Sequence, residues 1–227
     1  MNIRSPRAKT TAGIAGLLLV AFPLAACGSS DTSSSSSSTG SVKAVATIDA
    51  LTGEMTQITV DKDFFPTLDS LGLAPGIEGN AGLDGDVLSF PITGGNVEVF
   101  EPGSVPNYVT GQIQHENSGI SLSTKEKGAG PTVQLLNFNV DPTVSRVYAD
   151  VVVDGKVAVT SAYVFRLDGS TLNPLDTTSE PGKAILEGTT IYLSDVAAGL
   201  LNDTYGTKAV TDQVKVGIAK ITVDLPK

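Results

Sequence analysis

The 227-residue chain has one Cys, one His, no Trp and only 5% aromatic residues. A single Cys excludes an internal disulfide and any zinc or redox site built on paired cysteines. A single imidazole excludes a multi-histidine metal centre. Nucleophilic catalysis by a Ser-His-acid set would depend on His115 alone, and no Gly-x-Ser-x-Gly elbow occurs. Bases are scarce too: 15 Lys and Arg face 24 Asp and Glu, a formal charge of −9. Phosphate binding needs clustered cations, so no nucleic-acid partner is expected. The missing Trp and the mere five Tyr speak against a sugar site, which stacks its ligand on aromatic faces. The chain reads as non-enzymatic.

What is present begins at the N-terminus. Arg4, Arg7 and Lys9 form a basic start, with no acid before Asp31. Ala12–Ala26 is a 15-residue apolar run containing Pro23. It is shorter than the roughly 18–20 residues of a spanning helix and suits the core of a secretory signal. It ends in Leu24-Ala25-Ala26-Cys27-Gly28, which resembles the lipobox of bacterial lipoproteins. That resemblance implies that residues 1–26 are removed as a signal peptide. It also implies that Cys27 carries the acyl chains (a diacylglyceryl group, palmitate-type) as the new N-terminus. Each buried methylene contributes about 0.8 kcal/mol, so two chains anchor stably where one is marginal. The expected location is the extracytoplasmic face of the cell membrane, with the membrane itself as a partner through the anchor. The Ser-rich stretch to Ser41 completes a tether over residues 27–41, with a span of about 20 Å. Losing Arg4, Arg7 and Lys9 would take the 15 bases to 12 against 24 acids, making the charge −12.

Residues 42–227 read as one mainly β domain, an antiparallel β-sandwich or open barrel with one or two short helices. Val42–Ile48 alternates apolar and polar residues, Thr52-Gly53 turns, and Thr56–Val60 follows as a strand. Val151–Val153 and Val157–Val159 flank Asp154-Gly155, a strong hairpin signal. Further strands are expected at Ala162–Leu167, Thr189–Leu193 and Val214–Leu225, the last with a bulge between Ile218 and Ala219. Asp168-Gly169 and Glu187-Gly188 read as the punctuation between strands. The expected helices are Asp63–Leu71, broken by Pro66, and Ser194–Asn202, capped by Ser194 and closing near Gly206. Gly- and Pro-rich Ala74–Asp86 reads as loop.

Within this body, Val109, Gly111, Ile113 and His115 share one parity, which turns the imidazole toward the apolar side at a strand end before a turn at Glu116–Gly119. Two readings stay open: a partly buried histidine satisfied by a carbonyl, or a ligand contact. Tyr108, Tyr148 and Tyr163 are the tyrosines that could line a pocket beside it. Asp61 with Asp63, and Asp84 with Asp86, lack the convergent oxygens that calcium demands, so no metal site is expected. A carboxylate pair for wall-polymer hydrolysis leaves no sequence signature, and a hydrolase stays an alternative.

Phe90–Gly95, Gly111–His115 with Gly119–Leu122, Val133–Val140 and Val147–Val151 follow in an order that resembles secreted β-rich domains of actinobacterial-type envelopes. More remotely the layout is similar to HtaA-type haem-binding domains, over roughly residues 85–227. That likeness implies haem as a cofactor, held by a Tyr phenolate on iron with a supporting His. His115 falls near the matching His. No Phe-x-x-Tyr segment supplies the phenolate, and Phe64-Phe65 offers no oxygen. The leading expectation is an anchored binding or structural module for a small molecule or envelope polymer, with no cofactor. Uptake of haem or another hydrophobic small molecule is the alternative.

Overall fold

A computed structural model describes residues 42–126 and 128–226. The signal segment 1–26, Cys27, the tether to Ser41, and Lys127 lie outside the described residues. The body is mainly β. Its strands are β1 (Ala46–Ile48), β2 (Met55–Val60), β3 (Leu73–Gly79), β4 (Gly82–Asp84), β5 (Val87–Pro91) and β6 (Gly94–Val99). They continue as β7 (Val109–Thr124), β8 (Val133–Asp141), β9 (Arg146–Val153), β10 (Lys156–Asp168), β11 (Lys183–Leu193) and β12 (Lys215–Asp224). Two α-helices, α1 (Phe64–Ser70) and α2 (Asp195–Tyr205), complete the domain. One antiparallel sheet runs β1-β6-β7-β8-β9-β10-β11-β12-β2-β5-β4, with β3 added to β7. It curls on itself as an open half-barrel, so Phe90 of β5 meets Phe138 of β8 edge-on at 5.3 Å between ring centroids.

Local chemistry explains much of this. Asp154 and Gly155 take φ of 49° and 74°, the left-handed pair a type I′ hairpin needs between β9 and β10. Ser194 caps α2 by accepting from Ala197 N at 2.9 Å, and Gly206 ends it at φ 64°. Pro66 does not break α1. It sits in the first turn, where its missing N–H has no intrahelical partner to lose.

Four expectations change. Ala74–Asp86 is not loop but carries β3 and β4. Pro75 and Gly76 are tolerated because β3 is an edge, paired on one side only from Leu73↔Thr124 to Gly79↔Ser118. Glu187-Gly188 does not end a strand. β11 runs through it, with Gly188 bulged at φ 112° between the pairs Glu187↔Lys220 and Thr189↔Ala219. The bulge expected between Ile218 and Ala219 lies earlier in β12, at Val216, between the pairs Ile191↔Gly217 and Tyr192↔Lys215, while the pairing with β2 is unbroken from Gly217 to Thr222. Finally, Glu116–Gly119 is no turn, because β7 continues for 16 residues across a bulge.

That bulge belongs to a row crossing four strands. Asn117, Asn137 and Ser161 stand at φ of 52°, 56° and 52° on β7, β8 and β10. Asn117 N donates to Asn137 Oδ1 at 3.0 Å, and Asn137 Nδ2 donates to Asp150 Oδ2 at 3.0 Å. Ser161 N donates to Asp150 Oδ1 at 3.0 Å. Side chains thereby take up donors that the interrupted ladders release. The bulges of β7, β8 and β10 lie side by side around Asp150 of β9, next to His115 and Phe138.

Candidate functional site

The curl encloses a cavity of about 340 Å³. Apolar side chains make most of its wall, among them Ile58, Leu88, Phe90, Phe138, Phe165 and Val216. Among the described residues no Asp, Glu, Lys or Arg borders it. The loops holding Asn107, Tyr108 and Ser170 border it as well. Two polar side chains on the wall, His115 and Thr56, are only 1% and 5% exposed.

His115 Nδ1 lies 3.3 Å from Phe138 O, and Nε2 lies 2.8 Å from Thr56 Oγ1. A carbonyl oxygen only accepts, so Nδ1 carries the proton. Nε2 then holds the lone pair and accepts from the Thr56 hydroxyl. Burial lowers the imidazole's pKa to about 4, against the opposing effect of the Phe138 and Ile113 backbone bonds. The ring is therefore neutral at pH 7. The carbonyl-satisfied histidine and the cavity-lining histidine turn out to be the same residue. Parity on β7 faced it inward, and the closure of the sheet supplied Thr56, 59 positions away.

The three tyrosines separate. Tyr108 borders the cavity, and its hydroxyl donates to Asn173 O at 3.1 Å. Partial burial raises its pKa. Tyr148 and Tyr163 do not border it. They are cross-strand partners with ring centroids 6.2 Å apart, and the Arg146 guanidinium lies 4.6 Å from the Tyr163 centroid. Val147, Ala149 and Val151 are buried on β9, so the alternate Tyr148 faces outward. It borders an outer groove of about 230 Å³ with Gln114, Asn139 and Asp150, and His115 and Phe138 line both this groove and the cavity.

The first of the two acidic pairs is engaged locally. Asp61 pairs with Lys215 at 3.0 Å and accepts from Asp63 N at 3.1 Å, while Asp63 pairs with Lys62 at 2.7 Å. Among the described residues no group of three or more His, Cys, Asp or Glu is placed to hold a metal ion. The residue missed by sequence reasoning is Thr56. Its signal was legible, since Thr56, Ile58 and Val60 share one parity on β2 and Thr56 is the polar member.

No family model and no curated protein matches the chain. A solved structure does: the C-terminal domain of HtaA from Corynebacterium glutamicum, at a TM-score of 0.53 and 17% identity. The match covers 78% of this chain and 99% of that one. The fold is similar to that of the HtaA domain. At this identity the likeness is one of fold alone. The heme binding protein HtaB from the same organism matches at 11% identity, covering 79% of this chain and 96% of that one, and its TM-score of 0.44 carries no argument.

Proposed function

We propose that the chain is an extracytoplasmic binding module, anchored through acylated Cys27, that holds an apolar small molecule inside its curled sheet. The cavity is the observation that carries this reading. Its wall is largely apolar, so an apolar body held there would remove that surface from water. Its 340 Å³ falls in the range of small-molecule sites, and its wall pairs an apolar surface with a few placed polar atoms.

Haem is the ligand that the HtaA-type resemblance implies, and the fold likeness supports carrying it to this chain. The donor chemistry fits at one interior atom. With Nδ1–H held by Phe138 O, His115 Nε2 keeps a lone pair, capped by the Thr56 hydroxyl, of the kind by which imidazoles ligate metals. The Thr56 hydroxyl would turn aside from it. The implied phenolate has no counterpart on α1, and Tyr108 is the tyrosine that borders the cavity. Bound haem would supply an iron that accepts an axial donor. The chain's own apolar wall excludes water, and Asn107, Tyr108 and Ser170 offer polar groups to the ligand's edge.

Absorbance titration of the full chain with haemin, paired with an uncharged fluorescent apolar probe, tests this. A Soret shift lost in His115→Ala supports haem at that nitrogen. Saturable probe binding without a Soret shift keeps the cavity and removes haem. Neither signal removes the reading altogether.

A further inference from the structure

We propose that the cavity takes an uncharged amphiphile whose hydroxyl docks between Thr56 Oγ1 and His115 Nε2. This rests on the reading of the cavity as a ligand site and is the alternative to haem there, because both ligands would claim His115 Nε2.

The argument is one of donors and acceptors. His115 Nε2 offers a lone pair and no proton, because its partner nitrogen is the one bonded to Phe138 O. Thr56 Oγ1 carries one proton and lone pairs. The two satisfy each other at 2.8 Å. A ligand group that inserts between them has to donate to the nitrogen and accept from the hydroxyl. An alcohol does both. An ether or carbonyl accepts only and leaves Nε2 unpaired, which is costly for a buried group. A carboxylate likewise offers Nε2 no proton, and no Lys or Arg borders the cavity to neutralise it. An ammonium finds no Asp or Glu there. The rest of the wall asks for an aliphatic or alicyclic body, which Ile58, Leu88, Phe138 and Phe165 would cover.

The test is a competition series on the full chain, displacing the uncharged probe N-phenylnaphthylamine with n-decanol, n-decyl methyl ether and decanoate at neutral pH. The expected order places n-decanol about tenfold ahead of the ether, the worth of one hydrogen bond to a buried group, with decanoate weaker than the alcohol. Thr56→Val should widen the alcohol's lead over the ether, because it leaves Nε2 a lone pair that only the alcohol can satisfy, while the ether still competes. Thr56→Ser, which keeps the hydroxyl, should retain the lead of the unaltered protein. Equal competition by alcohol and ether in the unaltered protein overturns the proposal and leaves the cavity reading standing. Failure of the probe to bind at all removes the cavity reading, and the proposal with it. If Thr56→Val does not fold, the ligand order in the unaltered protein and in Thr56→Ser decides.

Discussion

The imidazole of His115 and the hydroxyl of Thr56 form a closed pair inside the sheet, 2.8 Å apart and almost sealed from solvent. The pairing joins β7 to β2 across the interior, and the burial of the imidazole makes the fold sensitive to acid. The folded-state pKa of about 4 lies below the ordinary 6.5. The unfolded chain therefore binds this proton more readily, and acid favours unfolding. The contribution is fully present above about pH 6.5 and is lost as pH falls toward about 4. It amounts to about 3 kcal/mol in all. Urea midpoints between pH 7 and 4 should fall further in the unaltered protein than in His115→Gln. Parallel pH curves for the two would count against the assignment.

Thr56→Val should also lower stability at neutral pH by about 1–2 kcal/mol, because it leaves Nε2 buried without a donor. Thr56→Ser should stay close to the unaltered protein. Thermal or urea unfolding of the three side by side reads this directly, and a neutral Thr56→Val would mean the bond is worth little.

Asn137 bridges neighbouring bulges, accepting from Asn117 N and donating to Asp150. It does so at φ 56°, a conformation Asn tolerates and Ala resists. Asn137→Ala should cost about 2 kcal/mol, and Asn137→Gly about 1 kcal/mol less because glycine relieves the backbone cost. The order of the two urea midpoints is the check. The reverse order would show that the side-chain bonds, and not the backbone, dominate.

Ser194 holds two groups at once, accepting from Ala197 N at 2.9 Å and donating to Tyr163 O at 2.7 Å. Ser194→Ala removes an N-cap and leaves a partly buried carbonyl short of a donor. A loss of about 1–2 kcal/mol in unfolding free energy is expected. Ser194→Thr or Ser194→Asp should restore part of the cap, and circular dichroism at matched urea would follow the helix.

Cys27 is the attachment point that the lipobox resemblance implies. Cys27→Ser should release the chain to the medium or leave an unprocessed precursor. Metabolic labelling with an acyl analogue and detergent partitioning measure both outcomes. A mature-sized, acylated band from the variant would show that the anchor lies elsewhere.

Several elements were readable residue by residue. The Asp154-Gly155 hairpin, the Ser194 cap and the Gly206 stop are set by backbone preferences of single residues, which neighbours in space do not alter. The inward face of His115 followed from parity on one strand. β3 was not readable, because Pro75, Gly76 and Gly79 carry no strand preference of their own. They form a ladder only because the second half of β7 presents an unpaired edge. Tyr148 and Tyr163 looked like pocket residues by type. Their exclusion from the cavity depends on register, and one residue of register moves a side chain to the opposite face.

The sequence by itself determined the class of this domain: aromatic-poor, acidic and β-rich, with turns fixed by Gly, Asp and Asn and a lipobox-like start. Those are local properties of composition and backbone preference. The tertiary structure alone decided that there is an interior site and which atoms face it. A cavity is made where distant strands fail to fill the space between them, and its wall draws on β2, β5, β7, β8, β10 and β12 at once. Thr56 and His115 meet across 59 residues because the sheet curls, and no local pattern encodes that distance.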